Sequence, residues 1–384
     1  MTAPLRWQAT PHAGYFINAV GISADGRKTV AGTFFHSYSA ERRTGADSNS
    51  GNFGIYCWDS IGTLQWSNTF TGYEGVYWAS LSADGSYAAS AGWYSSTPTY
   101  SGFIAAFDAA TGAPALDYYK TPSRVNQVVL NSDGSVLAAG GDQLYLFFRS
   151  GTQFSTTPST LPVASGDSVI SIGISADGQW VAAGTYAGTV MLVKIVGGVP
   201  VSSNTWSPAA TNTVHSVAMA TNGKGFAVGM KNGEFLYFAC DDFLSNAQPA
   251  WTQILTGASS VYGVAIAADA SFVSAVGNIG SASGTVGVFD NTGSAATLRW
   301  QQTLTANPNS TSIDSEGLFV AVADGHPDGT PGHFILFNAN SSAQIWSCTT
   351  GNMSWPIQLA SNAMACVGGS DDGNVYYFNP LRVL

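Results

Sequence analysis

The phrase Ile22-Ser23-Ala24-Asp25-Gly26 returns along the whole chain. It reads Leu81-Ser82-Ala83-Asp84-Gly85, then Leu130-Asn131-Ser132-Asp133-Gly134, then Ile174-Ser175-Ala176-Asp177-Gly178. Degenerate copies follow at Met219 to Gly223, Ile266 to Ala270, Ile313 to Gly317 and Leu359 to Ala363. The acid or amide of each copy falls at 25, 84, 133, 177, 222, 269, 316 and 362, so the spacings are 59, 49, 44, 45, 47, 47 and 46. Self-similarity at this period marks a radial or stacked array of small β units. A length of 384 residues would otherwise allow two or three domains. Because the repeat fills the chain, one domain over residues 1–384 is expected.

Repeat 4 shows the unit most clearly. Val169 to Ile174 alternates as a first strand, and Ala176-Asp177-Gly178 supplies a hairpin turn, since Asp and Gly tolerate the positive φ such turns need. Trp180 to Gly184 reads as a second strand, Ala187-Gly188 as a second turn, and Thr189 to Ile195 as a third strand rich in β-branched residues. A fourth strand carries Trp206. Four antiparallel strands in about 45 residues is the size of one propeller blade.

The fourth strand has its own pattern, Trp-x-x-Thr, at Trp66 to Thr69, Trp300 to Thr303 and Trp346 to Thr349, with Tyr118 to Thr121 as a variant. Leu5-Arg6-Trp7-Gln8-Ala9-Thr10 nearly copies Leu298-Arg299-Trp300-Gln301-Gln302-Thr303, yet it precedes the first full repeat. The last repeat stops at Tyr376-Tyr377-Phe378 with no fourth strand of its own. Residues 4–10 are therefore expected to complete the final blade, 353–384, which removes an exposed edge. The expected fold is all-β: an eight-bladed β-propeller of four-stranded antiparallel blades, closed by the N-terminal strand.

Two repeats carry an aromatic residue, then Asp, then Thr-Gly: Phe107-Asp108-Ala109-Ala110-Thr111-Gly112, and Phe289-Asp290-Asn291-Thr292-Gly293 leading to Trp300. Cys57-Trp58-Asp59-Ser60-Ile61-Gly62, leading to Trp66, is a looser match. These resemble the blade-docking motif of the eight-bladed quinoprotein-like (pyrroloquinoline-quinone-type) propellers and the related WD-repeat-like family, over essentially the full length. The resemblance implies architecture. Redox members of that family hold their cofactor with adjacent cysteines and a calcium site, whereas this chain has no Cys-Cys pair and is short for a quinone-dependent dehydrogenase. No cofactor is expected. The dipeptides of WD repeats are sparse as well: Trp58-Asp59 occurs once, and Gly325-His326 and Gly332-His333 share one loop.

The net charge of −10 argues against a nucleic-acid partner, because phosphate contacts need Lys/Arg clusters. Arg42-Arg43, flanked by Glu41 and Asp47, is too small a patch. No stretch approaches the roughly 20 apolar residues that span a bilayer, so membrane insertion is not expected. The start, Met1 to Trp7, has no apolar signal core; a cytoplasmic protein or the mature form of an exported one is expected. Cys57, Cys240, Cys348 and Cys366 match no zinc spacing and read as buried thiols within strands, with a Cys348–Cys366 disulfide as the lesser alternative.

Functional groups concentrate on loops displayed by a rigid scaffold. Seven residues before each turn acid, where the chain enters the first strand, stand Asn18, Tyr77, Asn126, Ile170, His215, Tyr262, Asn309 and Trp355. All but Ile170 are polar or aromatic. Such a ring at a channel mouth suits a polar, flat or sugar-like ligand, and the same side chains would also serve as a plug of the channel. Long loops of repeats 1, 2 and 7 lie on the same rim: Thr33 to Phe53 with His36, Tyr38, Glu41, Arg42 and Arg43; Trp93 to Tyr100; and Asp324 to Gly332. Tyr73, Glu74, Tyr77 and Trp78 would add to a wall there. His326 and His333 with Asp324 and Asp328 carry metal-compatible side chains, but their loop spacing fixes no coordination geometry.

No nucleophile elbow, phosphate loop or dinucleotide fingerprint occurs in a supporting context. The leading expectation is a non-catalytic, monomeric propeller that binds a small polar molecule, glycan or protein segment at its loop-rich rim. An enzyme, lyase or hydrolase before oxidoreductase, would use His215 as base and Tyr77 or Tyr262 as proton donor. A third reading, an assembly scaffold, expects a large exposed apolar patch.

Overall fold

The computed structural model describes residues 3–34, 53–70, 75–96, 99–280, 282–326 and 329–380, with the backbone alone at 93–96 and 99–100. Its sheets are antiparallel and mostly four-stranded, the architecture of a β-propeller. Repeat 4 runs Val169–Ile174, Trp180–Thr185, Val190–Val196 and Val199–Trp206, paired in that order. Repeats 5, 6 and 7 follow the same plan. A single bridge, Phe34 to Gly75, joins the strands of repeats 1 and 2 into one larger sheet. In repeat 3 the outer strand is broken into Gln153–Phe154 and Ser159–Pro162. The sheet of Ser354–Leu359, Cys366–Ser370 and Val375–Phe378 takes Leu5–Ala9 as its outer strand, with Ala9 opposite Val375.

The recurring turn has a common chemistry. In repeats 1, 2 and 4 its serine hydroxyl donates to the aspartate two residues on and accepts the N–H five residues on, as Ser175 Oγ does with Asp177 (2.6 Å) and Trp180 N (3.0 Å). Asn131 and Asp314 accept the equivalent N–H in repeats 3 and 7. Alanine stands there in repeats 5, 6 and 8, where backbone bonds, as from Gly223 N to Ala220 O, and the N–H accepted by Asn222, Asp269 or Asn362 hold the turn.

The turns also bond to one another. Ala24 N donates to Ala83 O, Asp84 N to Ser132 O, Ser132 N to Ala176 O and Ala176 N to Thr221 O. Asn222 N then donates to Ala268 O, Ala268 N to Ser315 O, Ser315 N to Ser361 O, and Asn362 N back to Ala24 O. The eight distances span 2.8 to 3.3 Å. Each buried apolar cluster fills the gap between the sheets of two consecutive repeats; the one with Val20, Tyr56, Trp58, Val367 and Tyr377 joins the last repeat to the first.

Tryptophans of outer strands dock onto the following repeat. Trp66 Nε1 donates to Ala109 O (3.1 Å) and Trp300 Nε1 to Ala339 O (2.7 Å), while Trp251 Nε1 reaches Asn291 Oδ1 (2.9 Å). Asp108 holds its loop by accepting from Ala110 N, Thr111 N and Thr111 Oγ1. The thiols are free. Two expectations are corrected here. Cys240 opens a short helix, Cys240–Ser245, instead of lying in a strand, because the connection after the third strand of repeat 5 winds into one turn that buries Phe243. Cys348 is only half-buried, since it sits on an outer strand. Burial pushes the Cys57 thiol up to about 12, so it is an inert packing group. Among the described residues no helix is long and apolar enough to cross a membrane.

Glycine is required where the turn presses on a neighbour. Gly317 has φ +68°, and a Cβ there would meet Phe272 Cδ2 at 2.4 Å; Gly293 has φ +90° and open space. Gly293→Ala is expected to cost about 1–2 kcal/mol from the left-handed conformation alone. Gly317→Ala adds overpacking and is expected to cost about 2–5 kcal/mol. Denaturant unfolding of both variants checks this, and equal losses would contradict it.

Candidate functional site

An inner strand bonds to its own sheet on one edge only, so its other edge must find partners elsewhere. The preceding repeat supplies them. Leu130 N donates to Ser80 Oγ (3.2 Å), Ile172 N to Gln127 Oε1 (2.6 Å), Val217 N to Ser171 Oγ (2.8 Å), Val264 N to Ser216 Oγ (3.2 Å) and Leu359 N to Ser312 Oγ (3.0 Å). The channel wall is thus a set of strands stapled by short polar side chains.

At the start of every inner strand except that of repeat 3 the ladder slips. Register shifts enclose Asn18, Tyr77, Ile170, His215, Tyr262 and Asn309, and a wider one encloses Trp355. A bulge re-aims the extra side chain, and here it places the residues singled out by their spacing at one end of the channel. Their roles divide. Asn18 Nδ2 donates to Tyr77 O (3.1 Å), Asn126 Nδ2 to Val169 O (2.8 Å), and Asn309 Nδ2 to Gly325 O (3.2 Å) and Ser354 O (2.9 Å). These amides tie one repeat to the next, and Asn18 and Asn126 are buried. The Tyr77 ring meets Phe34 edge-on at 5.4 Å, and its neighbour Trp78 lines the channel instead.

Ile170, His215, Tyr262, Asn309 and Trp355 share one cavity of about 410 Å³ with Trp78 and the stapling side chains. The His215 and Tyr262 rings lie 4.5 Å apart, tilted by 41°, and Tyr262 is 36% exposed. His215 Nδ1 is buried without a hydrogen-bond partner. Burial, with a smaller contribution from the positive charge of Lys231, pushes this imidazole down to about 4. It is neutral near pH 7. Among the described residues no Asp, Glu, Lys or Arg lines the cavity.

At the turn end lies a second cavity of about 160 Å³. The residue before each turn is aliphatic in all eight repeats (Ile22, Leu81, Leu130, Ile174, Met219, Ile266, Ile313, Leu359), and these side chains line one cavity or both. That ring was visible in the repeated phrase. The stapling serines were not, because their roles depend on the facing strand; Trp78, expected in a wall at the rim, lines the channel.

His333 Nδ1 bonds Asp324 Oδ1 at 2.9 Å, and this bond raises the imidazole above its ordinary value. The described residues hold no group of three or more metal-ligating side chains. His36, Tyr38, Glu41, Arg42, Arg43, Tyr73, Glu74 and Asp328 lie outside the described residues, as do the side chains of Trp93 to Tyr100. Exposed aliphatics are spread over the surface, with one local concentration, Val196, Val199 and Val201, on a hairpin of repeat 4.

No protein-family model and no curated protein matches the chain. Solved structures do. Saccharomyces cerevisiae Sqt1 is 13% identical with a TM-score of 0.71, covering 98% of this chain and 99% of its own. Chaetomium thermophilum Sqt1 bound to the N-terminus of ribosomal protein L10 is 12% identical with a TM-score of 0.70, covering 98% of this chain and all of its own. A chain of a mitotic checkpoint complex is 11% identical with a TM-score of 0.61, covering 99% and 92%. At these identities the likeness concerns the fold, a WD-repeat-like β-propeller.

Two histidines give opposite pH signatures. An unfolded histidine binds its proton near pH 6.5, but folded His215 resists until about 4, so its share of stability is present above 6.5 and lost as pH falls toward 4. His215→Phe is expected to flatten that part of the stability profile. His333 is raised, so its share is complete below the unfolded value and lost as pH rises through the folded one; His333→Gln is expected to remove that decline. Denaturant titrations between pH 4 and 8 read both.

Proposed function

We propose that this chain is a single-domain, non-catalytic, eight-bladed propeller that binds a protein segment at the channel mouth. Eight inner strands, the circuit of turn-to-turn bonds and the pairing of Leu5–Ala9 with Val375–Phe378 support the blade number and the closure. The docking of Trp66 onto Ala109 and Gly112, and of Trp251 onto Asn291, supports the quinoprotein-like reading of the Asp108–Gly112 and Asp290–Gly293 loops as blade-docking devices. The observation that carries the function is the open cavity beneath Trp78, His215, Tyr262 and Trp355. Side chains serving only as a plug would pack to interior density and leave few voids larger than a water. A polar space of this size holds displaceable water, and aromatic residues at its rim are the usual anchors of interfaces.

The similar Sqt1 structure holds the N-terminus of ribosomal protein L10, and another similar chain sits in a checkpoint assembly; both favour a protein partner over a free small molecule or glycan. The enzymatic reading gains no comparable support. Burial and the charge of Lys231 push His215 down to about 4, which makes it a weak general base.

Selection of peptides from a phage-displayed library against the full chain tests the proposal. Tyr262→Ala and Trp355→Ala are each expected to weaken the selected peptides by about 30-fold, the effect of losing an aromatic hot spot. Val201→Ser on the outer wall is expected to leave binding unchanged. Failure to enrich any peptide, or indifference to both aromatic truncations, would sink the idea.

A further inference from the structure

Among the described residues no acidic or basic side chain lines the channel cavity. The polar groups that do line it are hydroxyls, amides and one imidazole. Ser171, Ser216 and Ser312 already accept a backbone N–H, which leaves each hydroxyl proton to be given elsewhere. Asn309 has both amide hydrogens committed to backbone carbonyls. His215 Nδ1 alone among these groups is buried and unpartnered. An orphaned polar atom at a cavity wall costs roughly 1–3 kcal/mol unless water or a ligand completes it.

We propose that the part of the partner entering this cavity is an uncharged polar segment, which completes His215 Nδ1 through a main-chain or side-chain amide and lays its flat face on Tyr262. The inference rests on the peptide-binding reading above and narrows it. An amide has both an N–H and a C=O, so it satisfies Nδ1 in either neutral tautomer. A phosphorylated, acidic or basic tip would lose its hydration without meeting a counter-charge among the described lining residues, and burial of an unpaired charge is strongly unfavourable. The cavity volume of about 410 Å³ accommodates a few small residues. Charged residues remain compatible with the flanks of the segment, where Lys231 and solvent lie.

The test is panning of the full chain at pH 7 with two phage heptapeptide libraries. One is restricted to Gly, Ala, Ser, Thr, Asn, Gln and Tyr; the other also contains Asp, Glu, Lys and Arg. Enriched peptides from both are expected to share an uncharged core. Placing Lys or Asp at its centre is expected to weaken binding about 10- to 100-fold, while the same change at either end shifts it less than about threefold. His215→Phe is expected to weaken the core peptides about 10-fold, and His215→Asn, which restores an amide, to recover most of that. Tyr262→Ala, at an exposed position, serves as a second variant whose folding is not in question. Peptides that bind through a charged core, tolerance of charge at the centre, or indifference to His215→Phe and Tyr262→Ala would overturn this inference while leaving peptide binding intact. Enrichment of no peptide would overturn both.

Discussion

Everything in this molecule hangs on the bond from one turn to the next. Each Asp-Gly turn gives a backbone N–H to the carbonyl of its successor, and Asn362 gives its own to Ala24. Because the bonds are main-chain, the copies that have lost Ser, Asp or Gly still take part: Asn222 N and Ala268 N donate as Ala24 N and Asp84 N do. The circuit fixes the spacing of the inner strands. That spacing brings the free edges of five inner strands within reach of a serine or glutamine from the preceding repeat.

Function then follows from the other end of the same strands. Bulges at His215, Tyr262 and Asn309 take those residues out of the ladder and turn them toward the mouth. One end of the channel is ringed by aliphatic side chains and repeated hydrogen bonds. The other is irregular and aromatic. A scaffold made rigid at one rim holds side chains in place at the opposite rim.

Much of the fold was legible because it repeats. Turn residues, strand alternation and the Trp-x-x-Thr strand are local patterns, and Trp7 shows that residues 5–9 have the character of an outer strand. The site was legible only as positions. Spacing located His215 and Tyr262, but it also selected Asn18 and Asn126, whose amides bind neighbouring backbone, and it chose Tyr77 where the cavity is lined by Trp78. A bulge changes facing by one residue, and nothing in the alternation of a strand announces it. That no charged side chain among the described residues lines the cavity was equally hidden, since it becomes visible only once the inner strands stand together. Cys240 escaped for a simpler reason: one helical turn is too short to set up a period.

The pairing of Leu5–Ala9 with Val375–Phe378 has a consequence for how the protein is made. At ordinary rates of translation, about 5–20 residues per second, the stretch from Leu5 to Phe378 takes roughly 20–75 s to synthesise. Leu5–Ala9 therefore leaves the ribosome long before the strand it pairs with. Through that interval Trp7 and its neighbours lack that partner, and the edge of the growing array has no cover. A nascent chain of this design depends on keeping Leu5–Ala9 out of premature pairings until Val375–Phe378 emerges.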